Sequence, residues 1–300
     1  MNKNLYYDLN FYLKNKYGQK TKKITIDAGF TCPNRLDGKK GCIYCLNGSN
    51  YFPTKDSIES QIQKKINFYS NKKINSFIAY FQAYTNTFAS PQKLKQIYST
   101  VNKFPKINVV AIGTRPDCID KHKLDAIKQA IINKDIWIEY GLQSIDERTL
   151  QFIQRGHTVE DFKKAVLITK EYPDIAIGTH IILGFEWETK EYIEKLAVFL
   201  NKSGINYLKI HLLHILKGTE LEKLYIQNKI KLPSMEKYIS MVVFLLERLN
   251  KKIIIHRLTG EGTKENHIAP IWALQKSKIL NEINKKLLLS NSFQGKFAKE

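Results

Sequence analysis

The sequence predicts an α/β fold: a partial TIM-like (β/α)6 barrel of parallel strands with an N-terminal helix and a C-terminal β/helical extension. Apolar runs of strand length alternate with helical patterns along the chain, which is typical of parallel β/α units. No G-x-G-x-x-G follows a strand, which disfavours an open dinucleotide-binding sheet. The unusual polar residues follow the predicted strands, where β/α barrels place their chemistry.

The individual elements follow from the hydrophobic pattern. Strands are predicted at residues 23–27, 76–81, 108–112, 136–140, 175–183, 207–213 and 252–256. Helices are predicted at residues 4–17, 57–70, 91–103, 121–132, 159–171, 190–201, 235–249 and 277–289. We expect a single domain over residues 1–300, divided into an N-terminal helical arm (1–20), a barrel core (22–215) and a C-terminal extension that covers the barrel (216–300).

Composition narrows the class of protein. The chain has 300 residues, of which 43% are hydrophobic, so it can bury a large core. It has no membrane-length apolar run, and residues 1–8 do not resemble a signal peptide, so we expect a cytoplasmic protein without membrane contact. Lys and Arg number 48 against 28 acidic residues, a net charge of +20. Such an excess favours a polyanionic partner, although heavy use of Lys, Asn and Ile is also expected from biased genome composition.

One rim of the predicted barrel collects polar loops, because each loop follows a strand. These loops are the cysteine loop after the first strand, residues 82–87 after the second, 113–118 after the third, 141–144 after the fourth, 184–188 after the fifth, and His214 after the sixth. The sequence therefore predicts the functional site at this rim.

Three cysteines, Cys32, Cys42 and Cys45, lie within fourteen residues. Three thiolates suit a cubane iron–sulfur cluster whose fourth iron stays open to a ligand. Four cysteines in all make a poor disulfide framework for a chain of this length. The alternative is a tetrahedral zinc site, whose fourth ligand would be Cys118, His180, His211 or His214. Cys118 by itself is expected to be a buried free thiol.

The spacing C-x9-C-x2-C, with Tyr44 before the last cysteine, resembles that of the radical S-adenosylmethionine (SAM) enzymes. The wide first gap resembles the branch that contains the Elongator catalytic subunit. Further segments resemble one bacterial subfamily of these proteins, so the likeness covers nearly the whole chain. These segments are residues 28–35, 79–87, 113–117, 139–144, 155–158, 211–214 and 217–219.

This resemblance implies that the three cysteines bind a 4Fe–4S cluster and that SAM chelates its open iron. Electron transfer then cleaves SAM to methionine and a 5′-deoxyadenosyl radical. The resemblance also implies cofactor contacts: Tyr44 near the adenine, Tyr84, Thr85 and Asn86 at the amino group of SAM, Arg115 and Gln143 at its carboxylate or ribose, and Gly184 where the backbone approaches the adenine.

Two departures from the family pattern limit what is carried over. Many relatives have Gly-Pro-Gly-Glu-Thr after the fifth strand, where this chain has Gly-Phe-Glu-Trp-Glu-Thr at residues 184–189. The adenine contacts there are therefore open. The chain also carries no acetyltransferase domain like that of the Elongator subunit, so acetyl transfer is not expected.

Other polar residues at the rim have alternative interpretations. His211 and His214 line the pocket or are satisfied core histidines. Glu139 lies in an apolar strand, so it faces a cation or is neutralised by Arg148 or Arg155. Arg257 is a further rim candidate, and Arg115 would otherwise form a surface ion pair.

Lysines suggest how an RNA would dock over the rim, because lysine contacts phosphate independently of sequence. They fall in the N-terminal arm (Lys14, Lys16, Lys20, Lys22, Lys23) and near the C-terminus (Lys251, Lys252, Lys276, Lys278, Lys285, Lys286, Lys296, Lys299). The resembled subfamily is linked to the tRNA wobble uridine, at the step from a carboxymethylaminomethyl to an aminomethyl group on carbon 5. A one-electron donor such as flavodoxin or ferredoxin is implied. The alternatives are a radical SAM enzyme with a porphyrinogen-like small-molecule substrate and a non-catalytic zinc RNA-binding protein.

Overall fold

The computed structural model describes residues 5–46, 54–260 and 265–299. The strands in these residues are β1 (Thr21–Ile26), β2 (Ser76–Phe81), β3 (Ile107–Thr114), β4 (Asp135–Gln143), β5 (Ile175–Leu183), β6 (Tyr207–Leu212), β7 (Ile215–Leu216), β8 (Ile254–Arg257) and β9 (His267–Ala269). The α-helices are α1 (Leu9–Tyr17), α2 (Ile58–Ser70), α3 (Pro91–Ser99), α4 (Lys121–Ala130), α5 (Glu147–Phe152), α6 (Val159–Lys170), α7 (Lys190–Ser203), α8 (Glu220–Ile226), α9 (Met235–Leu246) and α10 (Lys276–Leu289).

Seven of the strands form one parallel sheet in the order β1-β2-β3-β4-β5-β6-β8. The sheet curls into a half-barrel, so the predicted fold class is confirmed. The C-terminal extension also forms part of the sheet, because its strand β8 pairs with β6 and adds a seventh strand. The short strands β7 and β9 form a separate antiparallel pair beyond the carboxyl end of β6.

Local sequence signals account for the helix starts. Residues such as Asp8, Ser57 and Thr158 stand just before α1, α2 and α6, and their side chains accept hydrogen bonds from backbone N–H groups of the first turn. The first predicted helix was placed from residue 4, which lies outside the described residues, and α1 begins only after the Asp8 cap. The helix predicted over residues 91–103 ends as α3 at Ser99 and continues as a 3-10 turn, Thr100–Lys103.

Helix α1 closes the amino end of the half-barrel. Leu13 packs there with Trp137 and Tyr207, which point into the barrel from β4 and β6. Lys16 forms an ion pair with Asp135, the first residue of β4. The arm therefore lies at the end of the barrel opposite the cysteine loop, which follows the carboxyl end of β1. The expectation that the arm lysines flank the functional rim is wrong for this reason.

The carboxyl end of the sheet is left to the connecting loops, which surround a cavity. The main hydrophobic core lies between the sheet and the outer helices, and a smaller cluster, including Ile43, Leu150 and Leu221, packs beneath the cysteine loop. Among the described residues, no helix has the length and apolar character needed to cross a membrane.

Candidate active site

A cavity of about 200 Å³ opens at the carboxyl ends of the strands. It brings together Cys32, Cys42 and Cys45 from the loop after β1. Most of the other residues predicted for the rim also line it, namely Tyr44, Tyr84, Thr85, Arg115, Gln143, His211, His214 and Arg257. The prediction that one rim collects the polar loops is thus confirmed for the loops after β1, β2, β3, β4 and β6. The loop after β5 is the exception, because none of residues 184–188 lines the cavity.

Cys42 is the buried member of the cysteine trio, with 6% of its surface exposed. Its Sγ accepts hydrogen bonds from Asn34 Nδ2 at 3.5 Å and Arg155 Nη1 at 3.6 Å. Burial acts to raise the pKa of this thiol, but the Arg155 charge and the hydrogen bonds from Arg155, Asn34 and Tyr44 leave the pKa lowered. This environment therefore favours a thiolate, the form that binds metal.

The segment around Arg155 is fixed against the cysteine loop by close backbone contacts. Asn34 Nδ2 also donates to the carbonyl oxygens of Gln154 and Arg155, at 2.9 and 2.7 Å. Gly156 has a φ of +73°, and a Cβ at this position would lie 2.2 Å from Asn34 Oδ1. Only glycine allows this approach, because any side chain would displace Asn34 from Cys42.

Gly141 of β4 positions the Arg155 side chain over the sheet. Arg155 Nη2 donates to the Gly141 carbonyl at 3.0 Å, and His157 Nε2 donates to the same oxygen at 2.9 Å. A Cβ on Gly141 would lie 2.4 Å from Arg155 Nη2. The absence of a side chain at position 141 therefore lets the guanidinium reach Cys42.

Arg35 holds the other end of the cysteine loop. Its Nη2 donates to the carbonyl oxygens of Cys45 and Leu46, at 2.8 and 2.7 Å. The loop is further anchored by backbone hydrogen bonds from Ile43 N–H to the Ile153 carbonyl and from Leu221 N–H to the Ile43 carbonyl. The short helices α5 and α8 thus support the loop from two sides.

Two residues predicted to contact SAM line the cavity with left-handed backbone. Tyr84 has a φ of 62° and Gln143 a φ of 70°. Such conformations are costly for non-glycine residues and concentrate at functional sites. Thr85 also lines the cavity, with its N–H bonded to the Thr31 carbonyl of the cysteine loop.

Asn86 does not line the cavity; it is buried beneath it. Its Nδ2 donates to the Gly113 carbonyl at 2.9 Å, so it ties the loop after β2 to the end of β3. Its Oδ1 is buried and has no hydrogen-bond partner in the described part of the chain. Its geometry fits a role in positioning Tyr84 and Thr85.

The resemblance implied SAM contacts for Arg115, which lines the cavity, and for Gly184, which does not. Arg115 Nε and Nη2 bind the Asp117 carboxylate, and Nη1 and Nη2 donate to the carbonyls of Arg155 and Gly156. The predicted ion pair is present, but only its Asp117 side is exposed, because Arg115 is buried and supports the Arg155 segment. Gly184 lies outside the cavity lining, and its N–H donates to Glu188 Oε2 at 2.7 Å.

The inner end of the cavity holds a buried ionic cluster. The Glu139 carboxylate, 2% exposed, pairs with Lys209 and accepts a hydrogen bond from His180 Nε2 at 3.0 Å. His256 Nδ1 lies 3.4 Å from the second carboxylate oxygen. Burial would raise the pKa of Glu139, but the Lys209 charge and the two histidines hold it well below its usual range.

The cation beside Glu139 is therefore Lys209 of β6. The alternatives Arg148 and Arg155 are wrong, because Arg148 is exposed and pairs with Asp146, and Arg155 binds Cys42. Lys209 also donates to the Tyr80 hydroxyl at 2.9 Å. One predicted docking lysine, Lys23, points into this interior, 4.7 Å from the centre of the Tyr80 ring.

His211 and His214 line the cavity, as one of the two interpretations predicted. His214 Nδ1 donates to the Leu212 carbonyl at 2.9 Å, and the His211 ring lies 5.4 Å from the His180 ring, centre to centre. His211 Nε2 is buried and has no hydrogen-bond partner among the described residues.

In residues 5–46, 54–260 and 265–299, no three His, Cys, Asp or Glu side chains are arranged to hold a metal ion. The three cysteines share the cavity without being gathered as a metal site. Of the four fourth ligands considered for zinc, His180, His211 and His214 line the same cavity and Cys118 does not, and none of them completes a metal site with the cysteines among the described residues. Cys118 is a buried free thiol, as predicted, and burial raises its pKa to about 12.

Sequence reasoning missed the roles of Asn34, Arg155 and Lys209. The sequence places Arg155 in a shared motif, residues 155–158, and makes it a candidate partner of Glu139, but not a contact of a cysteine. The glycine of this motif is the signal of a close backbone approach. For Lys209 the signal was a lysine inside an apolar strand, matched by the opposite charge of Glu139 in another strand.

Comparison with known proteins assigns the family. The radical SAM superfamily model matches residues 29–200, and the radical SAM C-terminal domain model matches residues 205–288. The chain is 35% identical to the uncharacterized protein YtqA of Bacillus subtilis, over 97% of this chain and 92% of that protein. It is 34% identical to the uncharacterized protein MJ0486 of Methanocaldococcus jannaschii, with the same coverage of both chains.

Weaker similarities extend to proteins with named functions. The tRNA uridine(34) acetyltransferase of Methanocaldococcus infernus is 27% identical over 53% of this chain and 30% of its own length. The solved structure of Elp3 from the same organism superimposes with a TM-score of 0.70 at 16% identity, over 91% of this chain and 64% of that one. Streptococcus suis SuiB, bound to SAM, superimposes with a TM-score of 0.52 at 12% identity, over 85% and 54% of the two chains.

These structural matches show a shared fold, and the two family models together span most of the cysteine loop, the half-barrel and the segment after it. The cofactors expected from the sequence, SAM and a 4Fe–4S cluster, are those of the matched family. The chain belongs to the radical SAM superfamily.

Proposed function

We propose that this radical SAM enzyme modifies the carbon-5 side chain of the tRNA wobble uridine, converting a carboxymethylaminomethyl group to an aminomethyl group. The observation that carries the proposal is the cavity at the barrel mouth, which exposes three thiols from one loop beside a deep polar interior. Cys32, Cys42 and Cys45 would hold the 4Fe–4S cluster. When bound, the cluster supplies the electron that splits SAM into methionine and the 5′-deoxyadenosyl radical.

The residues around the cysteines fit this assignment chemically. Arg155 and Asn34 direct N–H groups at the Cys42 sulfur, which favours the thiolate and is the kind of hydrogen bond that tunes iron–sulfur sites. Tyr44, Tyr84, Thr85 and Gln143 line the same cavity and would contact SAM. Asn86 and Arg115 would act through the loops that they position.

Arg115 and Gly184 are weaker candidates for direct SAM contact. The guanidinium of Arg115 is already committed to Asp117 and to two backbone carbonyls. Gly184 would contribute only if the loop after β5 changes its position.

The case for tRNA rests on relatives and on charge. One relative is named a tRNA uridine(34) acetyltransferase, and this chain matches 30% of that protein's length. Exposed lysines stand close to the cavity mouth: Lys39 and Lys40 lie in the cysteine loop, and Lys217 and Lys223 flank the start of α8. Because Leu221 is bonded to Ile43, these two pairs lie on neighbouring segments and would contact phosphates around an entering nucleotide.

A wobble uridine flipped out of the anticodon loop would enter the cavity base first. Hydrogen abstraction from the methylene between the amine and the carboxylate would leave a carbon radical beside the nitrogen. Loss of one electron from this radical to an oxidised carrier such as flavodoxin or ferredoxin, with loss of a proton, would give an imine, and its hydrolysis by water would release the two-carbon fragment as glyoxylate and leave the aminomethyl group. The surrounding residues would hold that carbon near the cysteine end and exclude water from the radical.

The direct test is anaerobic. The protein is purified, reconstituted with iron and sulfide, and incubated with SAM, a reductant such as reduced flavodoxin or ferredoxin, and tRNA from cells that lack the enzyme. We expect 5′-deoxyadenosine and a wobble nucleoside that has changed from the carboxymethylaminomethyl to the aminomethyl form, both measured by mass spectrometry. Unchanged nucleosides together with 5′-deoxyadenosine formation would reject the substrate and keep the enzyme class.

A small anionic molecule is the second candidate substrate. Among its described lining residues, the cavity has five cationic side chains, Arg35, Arg115, Arg155, Lys209 and Arg257, and one carboxylate, Glu139. Such a charge balance suits any acidic ligand. The two candidates separate in the same assay, because a small-molecule enzyme would not depend on RNA for product formation.

A further inference from the structure

The inner end of the cavity has a row of side chains that the cofactor contacts do not use. Cross-strand register aligns Gly141 of β4 with His180 of β5, His180 with Lys209 of β6, and Lys209 with Arg257 of β8. His211 lies two residues beyond Lys209 on the same strand, so it faces the same side of the sheet, nearer the mouth.

This row begins under the cysteine site and leads away from it. The Gly141 carbonyl accepts a hydrogen bond from the Arg155 guanidinium, which also contacts Cys42. Arg257 lies three strands further along the sheet. Three strand spacings amount to about 14 Å along the sheet. A group held at Arg257 is therefore separated from the cysteines by the space in which a substrate carbon would react.

The row also carries charged groups. Glu139 already binds Lys209 and His180, and His256 lies beside its other oxygen, so its charge is balanced by Lys209. Arg257 adds a second cation to the lining of this end. Burial and then the Arg257 charge lower the pKa of His211 well below its usual value, so the imidazole is neutral.

His211 Nε2 adds an unused polar atom. It is buried and has no hydrogen-bond partner within the described residues. Buried polar atoms in native proteins are almost always bonded, so an exception in a cavity wall marks a place where a ligand atom belongs. With hydrogen on Nε2, this imidazole donates to an anionic oxygen.

We propose that Arg257, His211 and Lys209 form a subsite for a carboxylate on the substrate. For the tRNA substrate, and resting on that proposed function, this carboxylate is the carboxymethyl end of the wobble side chain. Binding the carboxylate at the far end of the row directs the adjacent methylene toward the cysteine end. The subsite would also discriminate against the product, which lacks the carboxylate.

Discrimination of this kind is measurable as a ratio of affinities. Two anticodon stem-loop RNAs are compared, identical except that one carries carboxymethylaminomethyluridine and the other aminomethyluridine at the wobble position. Their affinities for the reconstituted protein are measured anaerobically by fluorescence anisotropy. We expect the carboxylate-bearing RNA to bind roughly tenfold tighter, since charge-assisted hydrogen bonds contribute enough for such a ratio.

Three variants locate the effect. Arg257→Gln and, separately, His211→Leu should bring the ratio close to one, whereas Lys252→Gln, an exposed lysine just before β8, should leave it unchanged. Equal affinities in the wild-type protein, including no measurable binding of either RNA, would overturn the proposal. So would a ratio that survives in both subsite variants.

Conversion of the same stem-loop by SAM and reductant is followed in parallel. A clear preference for the carboxylate without conversion would keep the subsite and reject the proposed reaction. Conversion without a preference in binding would keep the proposed reaction and reject the subsite.

Discussion

Arg155 Nη1 lies 3.6 Å from the Sγ of Cys42, although the two residues are 113 positions apart in the chain. The guanidinium is buried and also bonded to the Gly141 carbonyl, so it is fixed in place at the cysteine. This contact joins the segment after α5 to the loop after β1, and it is the main electrostatic influence that favours the Cys42 thiolate.

Replacing Arg155 should make Cys42 harder to ionise. We expect Arg155→Met to move the pH midpoint of Cys42 alkylation upward in the metal-free protein, because burial would then act without the opposing charge. Arg155→Lys, which keeps the charge, should shift it less. Mass spectrometry of the alkylated peptides gives each cysteine separately. Cys118, whose pKa burial raises to about 12, serves as the internal control, and an equal response of both cysteines would indicate general loosening instead.

Glycine at position 156 should be needed for more than its backbone angle. Gly156 and Gly29 have nearly the same φ, +73° and +71°, but only at Gly156 would a Cβ meet another atom, Asn34 Oδ1. We expect Gly29→Ala to lower the free energy of unfolding by roughly 1–2 kcal/mol, from backbone strain alone. Gly156→Ala should cost about 1–3 kcal/mol more, because the clash adds to the strain. Urea denaturation measures both, and equal losses would mean that Asn34 yields freely.

The sequence predicted the sheet better than it predicted the site. The bounds of β2 and β5 match the prediction because β2 is apolar from Phe77 to Phe81, and β5 begins and ends with apolar triplets, residues 175–177 and 181–183. Helices α5 and α8 were not predicted, since they have six and seven residues and owe their stability partly to contacts with the cysteine loop. The cysteines were recognised from spacing, a local signal.

The partners of those residues could not be recognised in this way. Arg155 and Lys209 act on residues 113 and 70 positions away, and only the folded register of the sheet brings them together. Likewise, the N-terminal lysines were assigned to the rim from their charge, whereas α1 packs at the opposite end because Leu13 joins the apolar layer of Trp137 and Tyr207. Charge in a sequence does not specify the end of a barrel.

Removing Lys209 should leave Glu139 buried with an uncompensated charge. We expect Lys209→Met to lower the free energy of unfolding at pH 7 by roughly 3–5 kcal/mol, and the double variant Glu139→Gln, Lys209→Met to recover part of that loss. Lys195→Met, an exposed lysine of α7, should change stability by no more than about 0.5 kcal/mol.

The Glu139–Lys209 pair should also make the stability of the protein depend on pH in acid. In the wild type the pKa of Glu139 is held below its unfolded value near 4.5, so its contribution is present above that pH and is lost as the pH falls toward the native pKa. In Lys209→Met the Lys209 charge no longer lowers the pKa of Glu139. The difference in the free energy of unfolding between this variant and the wild type should therefore shrink as the pH falls from 7 to 4. Urea denaturation across this range measures it. A difference that stays constant with pH would show that Glu139 is not ionised beside Lys209.

Glu188 should make stability fall in alkaline solution. Its Oε2 accepts hydrogen bonds from the N–H groups of Gly184 and Phe185, while burial raises the pKa of the carboxyl to about 8. Because the native state then binds more protons than the unfolded state, stability is present below the unfolded pKa near 4.5 and is lost as the pH rises through 8. We expect Glu188→Gln to abolish this loss, so that the variant gains on the wild type between pH 6 and pH 9 in urea denaturation. Parallel pH profiles for the two proteins would contradict this.

Cys42→Ala should separate the chemistry from RNA binding. Loss of one of three proposed cluster ligands is expected to reduce bound iron and to abolish 5′-deoxyadenosine formation in the anaerobic assay. The affinity for tRNA should stay within about twofold of the wild type, because it depends on exposed lysines and phosphates, and log Kd should keep the same slope against log salt.

Cys118→Ala is the matched control for this prediction, since Cys118 is also a buried thiol but does not line the cavity. It should retain iron, 5′-deoxyadenosine formation and RNA affinity together. If Cys42→Ala loses RNA affinity as well, the loop that carries Lys39 and Lys40 depends on the cluster for its conformation. If it keeps its iron and still cleaves SAM, the proposed ligand set is wrong. Because Arg155 and Asn34 both bind the Cys42 sulfur, these two side chains would then support the fold of the loop and not a cluster ligand.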